Sequence, residues 1–171
     1  MELTLLFIGL LVVGFVFLIF QYQGLLRSKK KVEESWHKVD LTLHQRYAVL
    51  PEIIEMVRGS AKREITVFEK ITFAKNQGIT AANITDQVAA ESLLSQSLKA
   101  LFAVSEDYPA LKNKEAFRDL QQILNDAEDA IQLAKKKYNK TVKENNRKVT
   151  RFPNTLIAGL LGFGTFDFFE I

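Results

Sequence analysis

Apolar positions along this chain fall into three regimes. From Leu3 to Phe20 the sequence reads LTLLFIGLLVVGFVFLIF, with Thr4, Gly9 and Gly14 as the only breaks in an apolar run. Eighteen uncharged residues at a helical rise span roughly 27 Å, close to the hydrocarbon thickness of a bilayer. A cleaved signal peptide needs a basic leader and a small-residue cleavage site, whereas this chain opens Met1-Glu2 and continues into Gln21-Tyr22-Gln23. No other segment is apolar enough to surround such a helix as a core. The first regime is a transmembrane anchor.

The second regime is helical in period. Val32, Trp36, Val39, Leu43, Leu50, Ile53 and Val57 step by three and four, with Arg46 filling the gap. Only Gly24 interrupts the helix formers between the span and Pro51, so the anchor is expected to continue into the first soluble helix. The residues around Pro51 lack the Gly, Asn or Ser of a reversal, and the stripe keeps its phase across it. The proline predicts a kink in a helix over about 32–75, stopped at Asn76-Gln77-Gly78. A second helix is expected over 86–105, capped by Thr85, with Leu94, Leu98, Leu101 and Phe102 inward. A third, over 114–151 and capped by Asn113, carries Phe117, Leu120, Leu124, Ala127, Ile131, Ala134 and Tyr138, a three-four alternation of bundle or coiled-coil type. Val142, Val149 and Phe152 prolong it in a shifted phase. No strict alternation suggests a sheet. The fold class is all-α, a single N-terminal transmembrane helix continuing into an antiparallel bundle of long helices. Three segments follow: an anchor and basic junction over 1–31, a bundle over 32–152, and a tail over 153–171.

The tail is the third regime. Phe152, Pro153, Leu156, Ile157, Leu160, Leu161, Phe163, Phe166, Phe168, Phe169 and Ile171 crowd into twenty residues. Of thirteen Phe in the chain, four are in the anchor and five lie from Phe152 onward, so this segment must dock on something. Its own bundle, a neighbouring subunit and a bilayer surface are the three options. A kinked first helix of about fifty soluble residues would reach roughly 75 Å from the membrane. In that out-back-out layout the tail lies far from the bilayer and meets a neighbouring subunit or another partner. A true reversal at Pro51 would return it to its own membrane.

Charge sharpens the picture. The net charge of +3 suggests a basic soluble protein until its position is considered. Arg27, Lys29, Lys30 and Lys31 follow the span, with Tyr22 at headgroup level and only Glu2 on the other side. Basic residues stay on the cytoplasmic face, which puts the short N-terminus outside and the bulk of the chain in the cytoplasm. Setting those five charged residues aside leaves 19 of each sign in 32–171, so nucleic acid loses its main support as a partner. The third helix is polarised, acidic at first and then basic through Lys135, Lys136, Lys140, Lys143, Arg147, Lys148 and Arg151. A solvated face complementing the helix dipole explains this; a grip on phosphate, lipid headgroups or an acidic neighbour is the alternative.

In order along the chain, Trp36, Asp40, Leu43, Arg46 and Pro51, then Gly59, Ala61 and Glu64, and then the dense run Tyr138-Asn139, Val142, Asn146, Phe152-Pro153-Asn154, Leu156-Ile157-Ala158, Gly162-Phe163 and Phe168-Phe169-Glu170 resemble the LemA family of bacterial membrane proteins. The chain departs from the usual family pattern at Gln45, Glu52 and Asn145 and in a short connector around Gly78. The resemblance implies a helical bundle on a membrane stalk in the bacterial cell membrane, with no established catalysis. Relatives include a protein of magnetosome membrane formation and others encoded near membrane metalloproteases.

Nothing in the residues builds an active site. Glu34 and His37 have the Glu-x-x-His spacing of di-iron bundles, but no second copy exists, and His44 lies too far along the helix to share a metal with His37. Gly159, Gly162 and Gly164 precede no Gly-Lys-Ser/Thr. Zero cysteines exclude thiolate metal sites, a cysteine nucleophile, disulfides and a lipid-anchored N-terminal cysteine. The expectation is a non-enzymatic, single-pass scaffold without cofactor. It assembles as a homo-oligomer through stalk and tail and organises the bilayer; a membrane-bound adaptor presenting clients to a membrane protease is the alternative.

Overall fold

The computed structural model describes residues 1–60 and 65–170. It is 87% helical with no strand, and the described residues form six helices: α1 (Glu2–Ser60), α2 (Ile65–Ile79), α3 (Ile84–Glu106), α4 (Pro109–Lys112), α5 (Glu115–Thr150) and α6 (Asn154–Leu161). The all-α class expected from the periodicity holds. Two compact units divide the chain, one of Met1–His37 with Lys137–Asp167, the other of Lys38–Lys136 with the residues from Phe168 onward.

α1 carries the apolar run, and none of that stretch is buried against protein. By length and composition it is the one helix among the described residues able to cross a membrane. A core helix of a soluble protein would bury the same residues, so its bare surface favours lipid as the solvent. The helix then runs on through Pro51 without ending there.

The expected continuation of that helix to Lys75 is not what forms. Residues 61–64 lie outside the described residues, but the contacts on either side define the path. The Arg58 guanidinium sits 5.7 Å over the Phe68 ring, and Gly78 lies against the Tyr47 hydroxyl. Those pairs run in opposite directions, so α2 doubles back along the end of α1. The sequence signal is Gly59-Ser60, two weak helix formers in succession. Gly78 does not stop α2 either. It lies inside the helix, packed so close to Tyr47 that a Cβ there would collide with the hydroxyl.

α3 packs on α2 and begins two residues before its expected start, capped by Asn83 rather than Thr85. The Asp86 amide donates to Asn83 Oδ1 at 2.9 Å. Asp107 closes α3, and Pro109 opens the single turn of α4. Asn113 closes α4 instead of capping α5, whose first amides bond the Lys114 carbonyl. The core of this unit buries Val39, Leu43, Leu50, Ile53 and Val57 of α1, Phe68 and Ile71 of α2, Leu94 and Leu101 of α3, and Phe117, Leu120, Leu124 and Ile131 of α5. The inward stripes read from sequence are therefore the packed faces, with Phe102 meeting Phe117 edge-on at 6.3 Å between centroids.

In the other unit, α5 lies antiparallel to the first part of α1. Trp36 packs on Tyr138 with ring centroids 5.3 Å apart. The Ser35 and Thr141 hydroxyls meet at 2.6 Å, and Leu25 shares a buried cluster with Val149.

Candidate functional site

The tail supplies the principal site, and its position overturns the layout that carried it away from the membrane. Gly162 closes α6 with φ +70°, a left-handed turn open to glycine, while the Phe163 amide bonds back to the Ala158 carbonyl at 2.9 Å. That turn aims Phe163 at Tyr22, edge to face with centroids 5.9 Å apart. Ala158 is buried with Leu25 and Val149, and Ile157 and Phe163 pack against them. The tail thus docks on the first turns after the membrane span.

Polar contacts hold the segment after α6. Asn146 acts as a side-chain peptide: its Oδ1 accepts from the Phe166 amide at 2.9 Å, and its Nδ2 donates to the Phe166 carbonyl at 2.8 Å. Buried Asn145 donates to the Gly164 carbonyl at 3.4 Å. The Tyr138 hydroxyl donates to the Asp167 carbonyl at 2.9 Å. Burial, with the negative charge of Asp167 adding to it, pushes that hydroxyl up to about 12. In the sequence Asn146 stands out only as part of the family resemblance and Asn145 only as a departure from it, and their partners give them a role.

Two basic features that sequence places far apart come together here. The antiparallel register sets the last turns of α5 beside the junction helix, and Lys148 Nζ donates to the Gly24 carbonyl at 3.2 Å. Arg27, Lys29, Lys30, Lys31, Lys140, Lys143, Arg147, Lys148 and Arg151 are all exposed in this unit. Lys29 and Lys30 reach Glu33 and Glu34 at 3.8 and 4.0 Å, so Glu34 is spent on a surface pair. Lys136 is exposed and Lys135 half-buried in the other unit.

Tail residues differ in fate. Ile157, Pro153, Phe163 and Phe166 are half-buried, and Phe169 is fully buried in the other unit. Phe152, Leu156, Leu160, Leu161 and Phe168 stay exposed. Phe152 is the one aromatic that sequence assigned to the α5 stripe and that faces solvent instead.

A second polar constellation, missed from sequence, lies in the core of the bundle unit. Arg46, in the gap of the α1 stripe, is buried and pairs with the fully buried Glu91 of α3 and with Glu128 of α5, the latter at 2.7 Å. Glu91 also accepts from the Tyr47 hydroxyl and, at 3.1 Å, from Gln87 Nε2, which reaches the Tyr47 hydroxyl at 2.9 Å as well. Desolvation lowers the Arg46 guanidinium from its ordinary value against the opposing pull of Glu128, and burial raises the Tyr47 hydroxyl. The signal was a basic residue in phase with an apolar stripe, which requires a carboxylate partner across the core. A cleft lined by Ser92, Gln96, Lys99, Asn125, Glu128 and Gln132 opens beside Arg46. Among the described residues no three of His, Asp and Glu gather as metal ligands.

A helix long and apolar enough to cross a membrane, continuing into packed helices with the tail folded back onto it, defines an all-helical protein with one candidate membrane span. The sequence model of the LemA family matches residues 35–171, and the chain belongs to the LemA family. That family is not a known enzyme family. A search of curated protein sequences found no match.

Proposed function

We propose that this protein is a non-enzymatic, membrane-anchored scaffold that associates with further copies of itself and organises the bilayer in which it sits. The short N-terminus lies outside and the bundle in the cytoplasm. The observation that carries this is the docked tail. It leaves exposed leucines and ten exposed cations on the unit that contains the span, a surface suited to a membrane and not to a small substrate. The cations after the span set the orientation. Self-association draws on apolar residues left outside the cores, such as Leu41, Phe73, Ile123 and Leu133. Mass photometry of the full-length chain in nanodiscs tests it: a ladder of oligomers is expected, and a clean monomer at every protein density refutes assembly. Access of an added protease to the bundle from only one side of oriented vesicles tests the topology.

A second reading, an adaptor presenting clients to a membrane protease, is favoured by one feature: the tail packs on its own helices, which frees the bundle surface for other chains. Proximity labelling from the bundle should then recover a membrane protease, and recovery of this protein alone counts against the adaptor.

A further inference from the structure

α6 is too apolar on its outer side for a helix in water. Ile157 and Ala158 pack inward against Leu25 and Val149, while Leu156 is 61% exposed and Leu160 86%, with Leu161 at 53% and Phe152, just before the helix, at 76%. Of its eight residues only Asn154 and Thr155 are polar. A helix packed on a bundle normally turns polar residues outward. Leu156 and Leu160 are four apart and share one face, so the exposure is one patch.

The depth of that patch follows from what lies beneath it. Phe163 touches Tyr22, two residues past the apolar run and about 3 Å along the helix axis. Leu25, under Ala158, is five past it, about 7.5 Å along the axis. The headgroup layer of one leaflet is about 5–8 Å thick. A helix about 10 Å across with its side chains, packed at that level, lies within the interface. The exposed cations around it, Arg27, Lys29, Arg147, Lys148 and Arg151 among them, match anionic headgroups in sign.

We propose that α6 is a second membrane contact, an interfacial helix whose face of Phe152, Leu156, Leu160 and Leu161 enters the outer acyl region of the leaflet holding the anchor. The helix is held by Phe163 on Tyr22 and Ala158 on Leu25, at the very end of the span, and lipid is therefore the occupant of its exposed face. Interfacial helices bind by this pairing of buried apolar area and basic charge. The inference rests on α1 being a membrane span, and it holds for a lone chain as well as for an assembled one.

The absence of cysteine makes the test clean. Leu160→Cys, and separately Leu133→Cys as an exposed reference on α5, are labelled with an environment-sensitive fluorophore. Each full-length protein is reconstituted at about one chain per vesicle into bilayers with anionic lipid, some carrying a quencher on the upper acyl chain. The label at 160 should be shifted to the blue, shielded from aqueous iodide and quenched by lipid at least about twofold more than the label at 133, as expected for a side chain at acyl depth. Equal iodide access at both positions overturns the proposal. Shielding from iodide without lipid quenching also overturns it, because a protein surface then covers the patch. Mass photometry of the full-length chain in nanodiscs across protein densities reports assembly separately. Lipid quenching at 160 together with a monomer at every density sinks the scaffold and keeps α6 in the membrane, while oligomers without lipid quenching at 160 do the reverse.

Discussion

Replacing Arg46 by Met separates the energetic roles of the two carboxylates it holds. Glu91 is completely buried and its side chain has no exposure, whereas the Glu128 side chain is 41% exposed. When the guanidinium is removed, Glu128 turns to water and loses little, since an exposed pair contributes at most about 1 kcal/mol. Glu91 has no such recourse. Its remaining bonds, from the Tyr47 hydroxyl and Gln87 Nε2, leave a buried charge uncompensated, which costs about 3–5 kcal/mol. That is a large share of the roughly 5–15 kcal/mol that holds a domain folded. The double variant R46M/E91M removes both charges and should recover most of the loss, because desolvation and attraction nearly cancel in a buried pair. E128Q should cost less than about 1 kcal/mol. Urea unfolding of the full-length chain in detergent, followed by circular dichroism, ranks the three. The reasoning fails if R46M and E128Q cost the same, or if R46M/E91M is as unstable as the sum of its single variants.

Other expectations follow from individual contacts. Asn146→Ala strips the Phe166 amide and carbonyl of their partner; a loss of about 1–2 kcal/mol should appear as faster hydrogen exchange over 163–167, with the bundle unit unchanged. Gly78→Ala drives a methyl into the Tyr47 hydroxyl, which Glu91 and Gln87 hold in place, at about 1–3 kcal/mol, while Gly24→Ala meets open space and should stabilise its helix by about 0.5–1 kcal/mol; thermal melts distinguish them. Alkaline pH should weaken the tail. An unfolded tyrosine ionises near 10, but docked Tyr138 stays protonated to about 12. The unfolded state thus binds fewer protons across that window, and stability falls as pH rises through it. Melting temperatures of Tyr138→Phe should fall less steeply over the same range, with buried Tyr47, raised in the same direction, supplying the remaining slope.

The helices were legible in sequence because their packed faces repeat at the helical period, from Val39 through Val57 and from Phe117 through Ile131. Their order in space was not. Val57, Phe68 and Ile71 keep one phase whether the helix continues or folds back, so periodicity is blind to the reversal. Gly59-Ser60 was the only local sign of it, and Pro51 drew attention away. That single misplacement sent the tail to the wrong end. The site itself was half legible: the Phe-rich tail and the two basic clusters stood out by composition, but their meeting depends on pairings such as Tyr22 with Phe163 that no local pattern encodes. Glu91 gave no signal, and Asn145 and Asn146 stood out only against the family pattern, because a polar residue on a helix looks solvated until its partner is known.

The contact between Lys148 and Gly24 joins residues 124 positions apart, and that between Ser35 and Thr141 spans 106. Such pairings impose an order of events on the growing chain. On the proposed topology α1 enters the bilayer first, since synthesis proceeds from the N-terminus. The junction helix then waits, its Leu25 and Tyr22 uncovered, while more than a hundred residues are made. Closure over distances this long in sequence is slow, so newly made α1 passes through a period in which Leu25 and Tyr22 have no cover. On the proposed reading, a crowded membrane is where an unfinished copy would receive the tail of a neighbour instead of its own.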